Sequence, residues 1–320
     1  MESFNCCLAA DIGGTNIRVA LISEDLKIRK KLKAPSSQDP LAILTQLINS
    51  LLLDSSGKAN IVGTGLAVAG IIDKSSGIIL RAPNIPGLAG IDIKHMIQNR
   101  FHIPVLVEND ANAAAFGEKV AGAGREYDSF ILLSLGTGIG GGIVMNNLLL
   151  PVAAEIGHMK IDKSGVSCGC GNTGCLEAYA SASAIIRSTL TALDEDITGN
   201  LKHAYDRNMG KIMAEDIYKA AEAGDSLART MLHDAGKSLG IGMANLINIL
   251  SPQAIILTGG LTGAWNIYIE AAIREASKRA LPEVFRIVKI IPSLLGDDAG
   301  VIGISALVFN QNKMKLNGIN

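Results

Sequence analysis

Short apolar runs that end in glycine alternate along this chain with longer stretches of helical spacing, which predicts a mixed α/β protein. The opening run, Leu8 to Ile22, reads as two strands joined by a turn at Gly13-Gly14-Thr15. A third strand is expected near Lys27 to Lys33, then a helix from about Asp39 to Leu53. Ile61 to Val68 reads as a buried strand that continues past a glycine to Ile72. The loop Ala82-Pro83-Asn84-Ile85-Pro86-Gly87 precedes a helix from about Asp92 to Arg100. Val105 to Glu108 forms another strand, and the alanine-rich segment Ala111 to Ala121 a helix.

Phe130 to Ser134 starts the pattern again, turning at Gly136-Thr137-Gly138 and returning through Ile143 and Val144 as the first hairpin does. The repetition suggests two related α/β halves with a cleft between them. A mostly helical stretch from about Leu176 to Ala280 follows, broken by a strand at Ala254 to Leu257 that ends in Thr258-Gly259-Gly260. A last strand near Arg286 to Ile291 leads through Gly296-Asp297-Asp298-Ala299-Gly300 into a final helix. No linker rich in proline, serine or charge divides the halves, so the pattern alone places the boundary near residue 115. Residues 1–115 with about 301–320 form the expected smaller domain, and 116–300 the larger one.

Composition narrows the classes. The 320 residues are 48% hydrophobic and 18% charged, with mean hydropathy +0.31, enough to bury a large core. A net charge of −1 without long runs of one sign gives no support to nucleic acid or an anionic membrane as partner. Aromatic residues, at 4%, offer few platforms for stacking bases. Met1 to Ala10 lacks the basic and apolar regions of a signal peptide. Leu239 to Leu257 carries Asn245, Asn248 and a Ser251-Pro252-Gln253 break, so it reads as a buried helix running into a strand rather than a membrane span. Cys6 and Cys7 fall in an apolar strand and read as core. A soluble, cytoplasmic protein is expected.

Candidate chemistry is concentrated in a few segments. His158, Cys168, Cys170 and Cys175 offer one imidazole and three thiolates, the ligand set of a closed tetrahedral zinc site. Buried free thiols or a disulfide are the other readings, and the lack of secretory context favours zinc. Glu155 and Glu177 bracket the cluster, so the metal is expected to shape a loop that carries other chemistry. Gly13-Gly14-Thr15, Gly136-Thr137-Gly138 and Thr258-Gly259-Gly260 each set backbone amides beside a threonine hydroxyl, an anion-binding arrangement. Asp11 precedes the first turn and could hold a Mg²⁺ ion that bridges phosphate oxygens, usually through water. Any one turn by itself reads first as a tight hairpin; three of them at apolar strand ends make that reading less attractive.

Gly136, Gly138 and Gly141 also satisfy the dinucleotide fingerprint, but that motif needs a helix after it, and Ile143-Val144 read as strand. Glu108-Asn109-Asp110 stands at a strand end before a helix. Asp110 there suits a helix N-cap, or a proton acceptor facing a phosphate cleft, or both, with Asn109 orienting a substrate.

Taken in order, Asp11-Ile-Gly-Gly-Thr15, Glu108-Asn-Asp110, Leu135-Gly-Thr-Gly-Ile-Gly-Gly141, Glu155-Ile-Gly-His158 and Cys168-Gly-Cys-Gly-Asn-Thr-Gly-Cys175-Leu-Glu177 resemble the ROK family of sugar kinases and repressors over essentially the whole chain. The resemblance implies an actin-like, hexokinase-like (ribonuclease H-like) fold and ATP-dependent phosphorylation of a hexose. It implies Asp110 as general base, and Asn109, Glu155, His158 and Glu177, with Gly70 and Asn84, as sugar contacts. Gly13, Gly14, Thr15, Gly136, Thr137, Gly138, Gly259 and Gly260 fall on its nucleotide-binding segments. His158 would serve twice, as zinc ligand and sugar contact.

The cysteine set is most like the family's zinc-containing bacterial glucokinases. Glucose is therefore the expected substrate, with N-acetylmannosamine or another N-acetylhexosamine next. ATP, Mg²⁺, structural Zn²⁺ and a homodimer complete the expectation. A sugar-responsive repressor is disfavoured because only ten residues precede Asp11, too few for a helix-turn-helix. A non-catalytic sugar sensor would not need Asp110 and three phosphate turns. Asp297 and Asp298 read as caps, Trp265 as buried packing, and His95, His102, His203 and His233 as surface or structural.

Overall fold

A computed structural model of the chain describes residues 4–36, 39–55, 59–193 and 200–316. Parts of the expected helical stretch (194–199) and of the final segment (317–320) lie outside the described residues. The elements run β1 (Phe4–Ile12), β2 (Asn16–Ser23), β3 (Ile28–Pro35), α1 (Pro40–Ser55), β4 (Ala59–Val68), β5 (Ile71–Asp73), β6 (Ile78–Arg81), α2 (Ile93–Phe101), β7 (Val105–Asn109) and α3 (Asp110–Ala121). They continue as β8 (Phe130–Leu135), β9 (Ile139–Met145), β10 (Leu148–Leu149), α4 (Glu177–Ala180), α5 (Ala182–Leu193), α6 (Asn200–Arg207), α7 (Ala214–Glu222), α8 (Ser226–Leu250), β11 (Ala254–Thr258), α9 (Glu270–Arg279), α10 (Pro282–Phe285), β12 (Lys289–Pro292) and α11 (Ala299–Leu316).

The expected internal repetition is present in the sheets. One has the order β3-β2-β1-β4-β7 and the other β10-β9-β8-β11-β12. Each places a three-strand meander beside two later strands; β5 and β6 form a separate ribbon in the first half.

β1 is central in its sheet, and its near-continuous apolar sequence follows from burial on both faces. Cys6, Leu8, Ala10 and Ile12 join Leu44, Ile48 and Leu51 of α1 with Ile93 and Ile97 of α2. The intervening Cys7 and Ala9 face the other way, toward residues of α11 such as Val301, Ile304 and Val308. Both cysteines are core, as expected. The buried residues of α1 recur at the spacing of one helical face, and Asp39 caps it by accepting from the Ala42 amide at 2.9 Å.

The chain divides into two compact units, Met1–Leu132 with Gly142–Ala154 and Ser293–Asn320, and Leu133–Gly141 with Glu155–Pro292. A division near residue 115 would cut α3, which stays whole because it packs closely along α11. A side chain at Gly117 would overlap the Ala299 carbonyl, and one at Gly303 would overlap that of Ala113.

α8 ends at Ser251 in the left-handed region (φ 45°), Pro252 follows, and β11 begins at Ala254, so the apolar stretch 239–257 is a helix running into a strand. The last strand is shorter than expected. Pro282 opens a short helix over Pro282–Phe285, and pairing with β11 begins only at Lys289.

Candidate active site

Strands β1, β4 and β7 run parallel and end in register, Ile12 beside Val68 and Val68 beside Asn109. Open α/β sheets bind ligands beyond the carboxyl ends of such strands. That edge of the first unit gathers the turn after β1, Gly70 and the Glu108-Asn109-Asp110 corner. Asn109, not Asp110, caps α3: its Oδ1 accepts from the amides of Ala111 at 2.9 Å and Asn112 at 3.1 Å. A cap must be extended, as Asn109 is (φ −62°, ψ 144°), whereas Asp110 is the first helical residue. Asn109 Nδ2 donates to the Gly70 carbonyl at 3.1 Å, tying the end of β7 to the turn after β4. Asp110 is half-buried, its Oδ1 accepts from the Ala111 amide at 2.9 Å, and the helix N-terminus stabilises its negative charge.

Glu108 and Asn112 went unread in the sequence. Glu108 is buried and accepts from the Asn109 amide at 2.9 Å, Asn112 Nδ2 at 3.1 Å and Lys74 Nζ at 2.8 Å. It anchors the corner from beneath. The signal was its four-residue spacing to Asn112 across the start of α3.

The first glycine turn is a tight hairpin, with the Gly13 amide bonded to the Asn16 carbonyl at 3.0 Å. Asn84 is brought to it, because a Cβ on Gly14 would lie 2.8 Å from the Asn84 carbonyl oxygen. The hairpin register sets Arg18 opposite Asp11, and the guanidinium reaches Asp11 Oδ2 at 3.0 Å and Asp297 Oδ2 at 2.7 Å. Burial pushes the Asp11 carboxyl above its ordinary range, against the pull of Arg18. A cation near Asp11 therefore competes with a guanidinium already in place. Asp297 pairs with Arg18 and Asp298 with Lys31, ion pairs that link the start of the last helix to the first hairpin. Arg18 was also unread, although a hairpin this tight fixes which residue faces Asp11.

In the second unit, His158 Nδ1 lies 3.7 Å from Cys168 Sγ, and Cys170 Sγ lies 3.7 Å from Cys175 Sγ. All four donor atoms lie within 4.8 Å of one another. Tetrahedral zinc with bonds of about 2.3 Å would space its sulfurs about 3.8 Å apart, whereas a disulfide needs about 2.05 Å. All five cysteines are free thiols, and the donor set fits a zinc ion. Gly171 and Gly174 turn the loop through the left-handed region (φ 94° and 73°), which other residues adopt only with strain. The Asn172 amide holds the Cys170 thiol below its ordinary range, while burial pushes Cys175 up to about 12. A metal would thus displace a proton held firmly on Cys175. With Nδ1 facing the sulfurs, His158 directs Nε2 toward Glu155, 3.9 Å from its Oε2.

Glu177 opens α4 and accepts from the Ile139 amide at 2.8 Å, which sets its carboxylate beside the Gly136-Thr137-Gly138 turn. Gly259, at φ 93°, abuts the backbone of Leu135, so the third glycine turn adjoins the strand that leads into the second. Gly260 begins a short helical turn secured by Thr262 Oγ1 on the Gly259 carbonyl at 2.8 Å. Trp265 is only half-buried, in a π turn; the buried aromatic there is Tyr268, which donates to the Ala180 carbonyl at 2.7 Å. His95 pairs with Asp92 at 2.7 Å, and no described helix is long and apolar enough to cross a membrane.

Residues 7–311 match the ROK family. A glucokinase from Halalkalibacterium halodurans is 36% identical over 315 residues, covering 95% of each chain. A xylose repressor from Bacillus spizizenii is 36% identical over 252 residues, which span 78% of this chain and 61% of the repressor. A ROK family glucokinase from Streptomyces griseus, solved with glucose and AMPPNP, superposes with a TM-score of 0.82 at 30% identity, covering 95% of this chain and 99% of that one. The chain belongs to the ROK family, and its α/β fold is the actin-like, hexokinase-like one.

Proposed function

We propose that this protein transfers the γ-phosphoryl group of Mg·ATP to the primary hydroxyl of a hexose, glucose foremost. The observation that carries the reading is Asp110, a half-buried carboxylate at the positive end of a helix and the carboxyl edge of a sheet. It belongs to a chain that matches a glucokinase over nearly its full length.

In this reading the sugar oxygen forms its bond to phosphorus as the bond to the β–γ bridging oxygen breaks. The hydroxyl proton passes to Asp110, and ADP leaves. General-base assistance of this kind is worth about 10²–10⁴-fold in rate, with the rest supplied by alignment and by charge stabilisation around the phosphates. Backbone amides of the turns at Gly13-Gly14-Thr15, Gly136-Thr137-Gly138 and Gly259-Gly260 receive the nucleotide. Asp11, one oxygen of which Arg18 already holds, would bind the Mg²⁺ that accompanies ATP through water.

Asn109, Glu155, His158 and Glu177, with Gly70 and Asn84, hold the ring hydroxyls. His158, Cys168, Cys170 and Cys175 would hold a zinc ion, which with four protein donors would supply rigidity rather than an activated water. The expected working form is a cytoplasmic homodimer.

The likeness to a xylose repressor favours a second reading, in which the protein binds a sugar without phosphorylating it. Purified protein with Mg·ATP and a panel of glucose, N-acetylmannosamine, N-acetylglucosamine and xylose separates the two, read as ADP release and sugar phosphate formed. Glucose should give the fastest turnover. Sugar binding with no phosphate transfer would sink the kinase reading, and preference for N-acetylmannosamine would overturn the choice of glucose.

A further inference from the structure

Segment 177–183 is joined to the second glycine turn by three hydrogen bonds. The Ile139 amide donates to Glu177 Oε2 at 2.8 Å, the Ala182 amide to the Gly136 carbonyl at 2.9 Å, and the Ser183 amide to the Thr137 carbonyl at 3.5 Å. The Glu177 carboxylate occupies the space that a side chain on Gly138 would need. Glu177 has little freedom of its own. Cys175 lies two residues before it, fully buried Leu176 donates to the Met159 carbonyl at 2.9 Å, and the Ala178 amide donates to the Cys175 carbonyl at 3.0 Å.

A carboxylate beside an anion-binding turn is unfavourable for a phosphate by charge alone. Its presence therefore calls for a compensating role, and the hydrogen bond to Ile139 supplies one. We propose that Glu177 is a positioning residue for the nucleotide: it fastens the Gly136-Thr137-Gly138 turn to the cysteine loop, so that the loop sets the shape of a phosphate site as well as a sugar site. This rests on the nucleotide reading of that turn given above.

The test is calorimetric titration of Mg·ADP into the zinc-loaded protein without any hexose. Glu177→Gln and Glu177→Ala lose the same charge, but only glutamine keeps an oxygen that can accept from the Ile139 amide. Their ratio therefore isolates the hydrogen bond. Glu177→Ala should bind Mg·ADP about fivefold more weakly than Glu177→Gln, the worth of one such bond, with zinc content equal in both. Equal affinities would overturn the proposal.

Gly138→Ala, which drives a methyl group into the carboxylate, should also weaken Mg·ADP binding. Adding Glu177→Ala should relieve part of that loss, a coupling expected only of groups in contact; strictly additive losses count against the proposal. If the unmodified protein binds no Mg·ADP at all, the kinase reading fails together with the inference.

Discussion

The Glu108-Asn109-Asp110 corner and the cysteine loop carry comparable numbers of polar side chains, yet they are built on different principles. At the corner a strand ends and a helix begins, and the freed amides of that junction are what Asn109 and Asp110 bind. Glu108 beneath accepts from three donors. Such a site is organised by the backbone that makes the core, before any ligand arrives. The loop from Cys168 to Cys175 is held by two isolated bridges, Ser167 to Thr173 and Lys160 to Cys175, and a few turn hydrogen bonds, and it brings three thiols to the His158 imidazole. One site is organised by secondary structure; the other, in the reading proposed above, by an ion.

The contrast can be broken at the corner first, where the largest effect is expected. Asp110→Asn keeps an oxygen for the Ala111 amide and so should leave the fold and sugar affinity nearly intact. Turnover should fall about 10²–10⁴-fold, measured as kcat against a hexose dissociation constant; near-normal kcat would remove Asp110 from its role.

Cys170→Ala tests the other side. It should release zinc, assayed by metal analysis, and speed proteolytic cleavage within 164–175, with cleavage near 105–115 unchanged. Equal loosening of both segments would mean that the loop is not independently organised by its ion. The smallest effect is expected from Asn109→Ala, which removes a cap and should lower unfolding free energy by about 1 kcal/mol in denaturant titration, with metal content untouched. Loss of zinc in that variant would erase the distinction between the two sites.

Much of this was legible in the residues themselves. Apolar periodicity located β1, α1 and the α8–β11 junction within a few residues, because both faces of a central strand and one face of each helix must be apolar. The cysteine loop was legible because its spacing of sulfurs and glycines has few other uses. Arg18 was missed because one of its two partners, Asp297, lies 279 positions away in the chain, although the other, Asp11, lies only seven away. Glu118 was missed for the same reason. It is fully buried and accepts from Ala123, Ser293 and Leu295, so a residue that reads as helix surface is an internal anchor.

The order of residues alone pointed to most strands and helices and to the side chains whose donor chemistry suits metal, phosphate or a proton, since these depend on local periodicity and residue type. Only the tertiary structure decided that Asn109 rather than Asp110 caps α3, that Arg18 holds Asp11, and that Glu177 lies against Gly138. The cap depends on which residue of the corner is extended, the Arg18 pair on hairpin register, and the Glu177 contact on packing between segments 38 positions apart.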